Sequence, residues 1–202
     1  MKAKQLISNL RRENSKFFFL FTGTDGTGLL IANEVDITRM DNTELIMRIN
    51  TDMKTEDTFY TDLNGFQMIK RKKYQKLPLQ ANYYPIPSMA YMQDETSRLT
   101  LISRTPLGGS SLKSGQLEIM MDRRLMQDDN RGLFQGVTDN RVTLHEFALL
   151  LERKTKGCVD EVEVSCFGAK IQIALFFNIL ALGRKFRLYS KYLDLALARK
   201  FK

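Results

Sequence analysis

The densest concentration of charged side chains in this 202-residue chain is Asp122-Arg-Arg-Leu-Met-Gln-Asp-Asp-Asn-Arg131, closed by Gly132. It follows directly on an apolar stretch, residues 117–121. Arginines and aspartates on a loop at a strand end can form bidentate ion pairs, and such loops often line sites. Arg124, Asp128, Asp129 and Arg131 are therefore the candidate site residues, at the edge of a substrate pocket or holding that edge in shape. As a catalytic pair, Asp128 and Asp129 fit poorly. Two carboxyl groups that share a retaining displacement stand about 5–5.5 Å apart, one on each side of the bond they cleave. Two neighbours in one loop do not straddle a substrate. A salt-bridged loop that fixes its own shape is the plainer reading, and no catalytic residue is assigned.

Other residues that could do chemistry have simpler explanations. Gly23, Gly26 and Gly28 suggest a phosphate loop, but such a loop needs Gly-Lys-Ser/Thr, and Gly28 is followed by Leu29-Leu30. A turn suffices. Lys70-Arg-Lys-Lys73 with Lys76 is a basic run beside apolar Met68 and Ile69. It reads as a solvated strand edge, where lysines block edge-to-edge association. His145, the sole histidine, lies inside a strand pattern next to Glu146. Adjacent strand residues point to opposite faces, so the two form no proton relay, and His145 reads as structural. Cys158 and Cys166 match no zinc-ligand spacing and read as free thiols or one disulfide. No metal site is expected in this chain.

The elements that must position the charged cluster are strands. Thr43-Glu-Leu-Ile-Met-Arg-Ile-Asn50 alternates, with Leu45, Met47 and Ile49 on one face. Residues 88–93 and 98–103 flank the polar turn Asp94-Glu-Thr-Ser97, a hairpin signal. Residues 29–37, 66–70, 117–121 and 142–151 add further strands. No βαβ alternation and no internal repeat is present. The expected architecture is all-β, an antiparallel sandwich that is incomplete and carries atypical ends, helical or disordered. Residues 1–28 begin in a helical-looking manner and continue into Phe17-Phe-Phe-Leu-Phe21. Those five apolar residues are too few for a signal-peptide core. Residues 183–202 could form a basic amphipathic helix.

Composition narrows the function classes. Hydrophobic residues are 43% and charged residues 27%, which fits a globular chain rather than a disordered one. No apolar run reaches the roughly 18 residues of a membrane span. The net charge is +8, yet residues 29–154 carry 17 basic and 17 acidic side chains. Residues 1–28 hold 5 and 2, and residues 155–202 hold 9 and 4. Basicity confined to the ends gives no basic stripe on the folded body, so nucleic acid is not expected as a partner.

Several motifs occur in an order met elsewhere. Phe59-Tyr-Thr-Asp-Leu-Asn-Gly-Phe-Gln67, Leu77-Pro-Leu-Gln-Ala-Asn-Tyr-Tyr-Pro85, Pro87-Ser-Met-Ala-Tyr91 and residues 117–132 resemble the C-terminal β region of class II α-mannosidases, glycoside hydrolase family 38. The wording is closer to the Golgi enzymes that trim N-glycans than to the lysosomal one. The resemblance runs over residues 29–154, flanked by atypical segments 1–28 and 155–202. It implies a part of a retaining α-mannosidase of the Golgi lumen, acting on mannose-containing N-glycans. Its zinc, nucleophile and acid/base are implied in an N-terminal region longer than this chain. Membrane attachment is implied only through an N-terminal anchor outside the matching region. This chain is then expected to bind no zinc and to be inactive alone. In the family, a C-terminal arginine reaches the active-site edge, and Arg131 and Arg124 are the candidates for it.

Two departures stand out. The family usually has Gly-Leu-Gly-Gln-Gly where this chain has Gly132-Leu-Phe-Gln-Gly136. If that position needs positive φ, Phe134 is a costly substitute. The resemblance also stops near residues 29 and 154. The expectation is that the flanks are not native coding sequence, since Phe17–Phe21 is what a translated pyrimidine-rich intron end encodes. The alternative is a stand-alone sandwich that binds carbohydrate or protein through Tyr83, Tyr84 and Tyr91.

Overall fold

The computed structural model describes residues 4–10, 14–23, 26–128, 130–153, 193–194 and 197–198. The strands, in chain order, are β1 (Lys4–Leu10), β2 (Asn14–Gly23), β3 (Gly26–Val35), β4 (Thr43–Asn50), β5 (Thr58–Leu63), β6 (Gln67–Lys72), β7 (Tyr84–Ile86), β8 (Met89–Gln93), β9 (Ser97–Ser103), β10 (Leu107–Ser110), β11 (Gln116–Arg124), β12 (Thr143–Arg153), β13 (Leu193–Asp194) and β14 (Leu197–Ala198). A single 3-10 turn, Leu79–Asn82, interrupts the strands among the described residues.

Every pairing is antiparallel. One sheet runs β1-β2-β3-β12-β9-β8-β5-β6, the other β13-β4-β11-β10-β7, with β14 also on β4. The all-β sandwich is therefore as expected. Period-two patterning explains the packing. Leu45, Met47 and Ile49 of β4 are buried, and they meet Leu117, Ile119 and Met121 of β11 and Ile31, Phe59, Met92, Leu101 and Phe147 of the larger sheet in one core. The turn at Asp94–Ser97 closes β8 onto β9, with Asp94 Oδ1 accepting from the Thr96 and Ser97 amides at 2.8 and 2.9 Å.

Three expectations need correction. The helical-looking start is strand: β1 pairs with β2, and β2 pairs with β3 through Phe18↔Ile31 and Leu20↔Leu29. A ready ladder on β3 overrides a weak helical pattern. In the tail, β13 and β14 add to the edge of β4 at Ile49 and Leu45, so those four residues are not helical. Cys158, Cys166 and the rest of 155–192 lie outside the described residues. Phe66 is not in a strand. It stands 87% exposed at the tip of the β5–β6 hairpin, whose Asn64 and Gly65 adopt φ of 50° and 74°. The basic run begins where expected, on β6, an edge strand of the larger sheet.

Candidate functional site

The site is built at the end of β11. β11 runs against β4 in regular register to Met120↔Ile46, then slips so that Asp122 faces Leu45 and Arg124 faces Thr43. The extra residue is Met121, which stays in the core. Such a bulge re-aims the side chains that follow it. Without it, Glu44 rather than Leu45 would oppose Asp122. Asp122 and Arg124 are thereby placed opposite core-facing residues, and Arg123 stands exposed.

Arg124 is occupied with structure. Its Nε donates to Asp41 Oδ1 at 2.9 Å, and its Nη1 to the Thr138 carbonyl at 3.0 Å and to Asn140 Oδ1 at 3.3 Å. The Asn140 amide in turn donates to Asp122 Oδ1 at 2.9 Å and to the Arg123 carbonyl at 2.8 Å. Leu125 and Val137 exchange backbone hydrogen bonds of 3.0 and 2.8 Å, and the Met126 amide donates to Asn42 Oδ1 at 3.0 Å. Residues 125–137 therefore form a loop with a closed neck. The neck is tied to the β3–β4 connection and to the approach to β12.

At the tip, Asp128 Oδ1 accepts from the Asn130 amide at 2.8 Å, and Asn130 sits at φ 57°. That is an Asx turn, which sets the loop's direction. Asp128 Oδ2 is buried with no hydrogen-bond partner among the described residues. Arg131 is exposed at the tip, as are Leu133 (80%) and Phe134 (79%). Asp129 lies outside the described residues. Of the four predicted site residues, Arg124 is thus a neck staple, Asp128 shapes the tip, and Arg131 is presented outward.

Phe134 has φ of 54°, in the left-handed region. The position does need positive φ, as the family glycine suggested. Gly136 has a different reason: a Cβ there would lie 2.9 Å from the Met126 carbonyl carbon and hard against the Leu125 carbonyl. No motif or spacing marks Asp41, Asn42, Thr138 and Asn140 as neck residues. Asp41 and Asn42 lie 83 and 84 positions from the groups they bind.

The tyrosines proposed for a carbohydrate platform are engaged. The Tyr91 ring stacks on Tyr60 at 4.4 Å and carries the Arg98 guanidinium at 4.2 Å, and burial pushes its hydroxyl pKa up to about 12. Tyr84 meets Phe59 edge-on, carries Arg71 over its ring, and donates to the Lys72 carbonyl at 2.8 Å. The Tyr83 hydroxyl donates at 2.7 Å to Glu118, itself buried and ion-paired with Arg48. Packing and structural bonds account for all three.

His145 is buried, as a structural histidine should be. Burial lowers its pKa from 6.5, against the opposing pull of the Asp122 charge and the Met121 backbone. Glu146, on the opposite face, pairs instead with Arg104. No three His, Cys, Asp or Glu side chains converge among the described residues. These residues do not fit a zinc site, and no step is assigned to a metal here. No helix among them is long and apolar enough to cross a membrane.

A model of the glycosyl hydrolases family 38 C-terminal domain matches residues 24–131. "Alpha-mannosidase 2" of Drosophila melanogaster is 58% identical over 134 residues, covering 66% of this chain and 12% of that protein. "Alpha-mannosidase 2" of Homo sapiens is 51% identical over 143 residues, 71% of this chain and 12% of the relative. "Alpha-mannosidase 2x" of Mus musculus is 56% identical over 133 residues, 66% and 12%. The chain spans about an eighth of the length of these curated relatives. With the family match covering more than half of the chain and reaching into the charged loop as far as Arg131, the chain belongs to the glycosyl hydrolase family 38 C-terminal domains.

Proposed function

We propose that residues 29–154 are the C-terminal β-sandwich module of a retaining α-mannosidase that removes α-linked mannose from N-glycans, with segments 1–28 and 155–202 as flanks whose strands β1, β2, β13 and β14 pair onto its sheets. The module presents the loop 125–137 to the edge of an active site built by other parts of the enzyme. Zinc supplies Lewis-acid and substrate-orienting chemistry there and is held by residues outside this module. In this reading the enzyme works in the Golgi lumen, attached to the membrane by sequence outside residues 29–154. The naming of the relatives as α-mannosidases supports the substrate class.

The observation that carries this reading is the loop itself: the hydrogen bonds of Arg124 to Asp41, Thr138 and Asn140 close its neck, and its tip, Arg131 included, is exposed. Arg131 would donate hydrogen bonds to sugar hydroxyls. Arg124 and Asp128 would hold the tip in place. A charge-assisted hydrogen bond contributes about 1.5–3 kcal/mol.

The test places residues 29–154 in the matching segment of the Drosophila relative and assays α-mannoside hydrolysis. The chimera should be active. Arg131→Ala should lower kcat/KM roughly tenfold to hundredfold with little change in Tm. Arg124→Ala should lower Tm as well. If Arg131→Ala leaves kcat/KM unchanged, the tip does not meet substrate. An inactive but folded chimera would remove the mannosidase reading of this module.

A further inference from the structure

The β5–β6 hairpin turns on Asn64-Gly65, and Asn64 is the one asparagine in the sequence that precedes a glycine. The Phe66 amide closes the turn on the Leu63 carbonyl at 2.9 Å. With φ of 50° and 74° at its two central residues, this is a type I′ turn, the class that Asn-Gly favours. Both residues are exposed, and a Cβ at Gly65 would meet nothing within 4 Å. An asparagine with so open a neighbour is chemically vulnerable. The backbone nitrogen of the next residue can attack the side-chain amide, and glycine, having no side chain, hinders that attack least.

The attacking nitrogen is held here. The Gly65 amide donates to Asp62 Oδ2 at 2.8 Å. Asp62 is buried and is fixed in turn by the Ser88 hydroxyl at 2.7 Å and by the Ser88 and Met89 amides at 3.0 and 2.8 Å. To become a nucleophile, the Gly65 nitrogen must lose the proton it shares with Asp62. Both the hydrogen bond and the adjacent negative charge oppose that loss. We propose that Asn64 is a site of spontaneous deamidation whose rate is set by the hydrogen bond from Gly65 to Asp62.

The steps balance with water as the one co-reactant. The Gly65 nitrogen passes its proton to a solvent base and bonds to Asn64 Cγ. The Cγ–Nδ2 bond breaks, and ammonia leaves with a proton from solvent. Water then opens the cyclic imide at either carbonyl. Opening at Cγ leaves aspartate; opening at the main-chain carbonyl leaves isoaspartate, with the chain running through Cγ. Nothing is oxidised or reduced. Isoaspartate adds one carbon to the main chain inside a turn whose length sets the register of β5 on β6. Either product puts a second carboxylate two positions from Asp62. The hairpin loosens, and through Asp62 the change reaches the start of β8. None of this depends on the mannosidase reading.

The experiment incubates the full chain, and beside it a synthetic peptide of residues 60–68, in mildly alkaline buffer. Peptide mapping follows aspartate and isoaspartate formed from Asn64. Asn64 should react before any other asparagine of the chain. It should react about tenfold to a hundredfold more slowly in the folded chain than in the peptide, the factor that one charge-assisted hydrogen bond withholds. Asp62→Asn keeps an acceptor but removes the charge, and should raise the rate severalfold. Ser88→Ala leaves the bond from Gly65 to Asp62 in place and should not. A folded chain that reacts as fast as the peptide would overturn the proposal. So would an Asp62→Asn rate equal to that of the unaltered chain, or another asparagine reacting first. Should Asp62→Asn fail to fold, low urea applied to the unaltered chain decides. Exchange of the Gly65 amide proton and deamidation both need that bond broken, so the two should accelerate by the same factor, and acceleration of one alone would overturn the gate.

Discussion

Phe134 holds a backbone conformation that β-carbon-bearing residues avoid, with φ of 54° and its ring 79% exposed. A non-glycine residue there costs about 1–2 kcal/mol, and a ring this exposed buries little apolar surface in return. Phe134→Gly removes that strain but enlarges the unfolded ensemble by about 0.4–1 kcal/mol. The net expectation is a gain of about 0.5–1 kcal/mol, read as a rise in Tm; a fall in Tm would mean that the ring is held by a contact worth more than the strain. The penalty was legible before the fold, because a glycine-rich family pattern is broken at one position. His145 was equally legible as structural, since a strand puts Glu146 on the other face. The different placement of the two arginines was not legible. Arg124 and Arg131 are alike in sequence, and only the neck distinguishes them, through partners far along the chain.

At the scale of elements, the bulge in β11 and the neck are one device. The slip after Met120 places Arg124 where it can reach Asp41, Thr138 and Asn140. Gly136 then lets the returning strand pass against the Leu125 carbonyl. Gly136→Ala forces the two apart and should cost about 1–3 kcal/mol, with the bridge Leu125↔Val137 lost first. Hydrogen exchange at the Leu125 and Val137 amides checks this, and unchanged protection would show that the neck absorbs a methyl group. Strands with clean alternation, such as β4, were readable. β5 was hidden by Asp62, a carboxylate inside a strand. It accepts from the Ser88 hydroxyl at 2.7 Å and from the Ser88, Met89 and Gly65 amides at 3.0, 2.8 and 2.8 Å. Burial works to raise its pKa, and those bonds outweigh it and hold the carboxyl below the ordinary value. β7 contains Pro85 and β10 two glycines, residues that signal turns until a neighbouring strand pairs with them. β1 was misread because Leu6, Ile7 and Leu10 also fit a helical spacing.

Among the described residues most buried apolar side chains form one core between the two sheets, with a small second cluster of Ile102, Ala148 and Leu150. Phe59 and Phe147 of the larger sheet are fully buried in the same cluster as Leu117 and Ile119 of the smaller one. Phe59→Ala should cost about 3–5 kcal/mol. Both sheets should still lose structure together in a single transition; two separate transitions would show that the sandwich is not one cooperative unit. The fold class was open to reading from the sequence because alternation is local. The ladder order was not, since β3 pairs with β12 and β4 with β11 across long stretches of chain.

The hydrogen bonds from Arg124 to Asp41 and from Met126 to Asn42 span 83 and 84 positions. Nothing local can assemble them. β4 and β11 must already lie side by side, and closing so long a stretch of chain is slow compared with forming a hairpin. The charged loop therefore takes its shape only once β4 and β11 have paired, and its order reports that this part of the smaller sheet is in place.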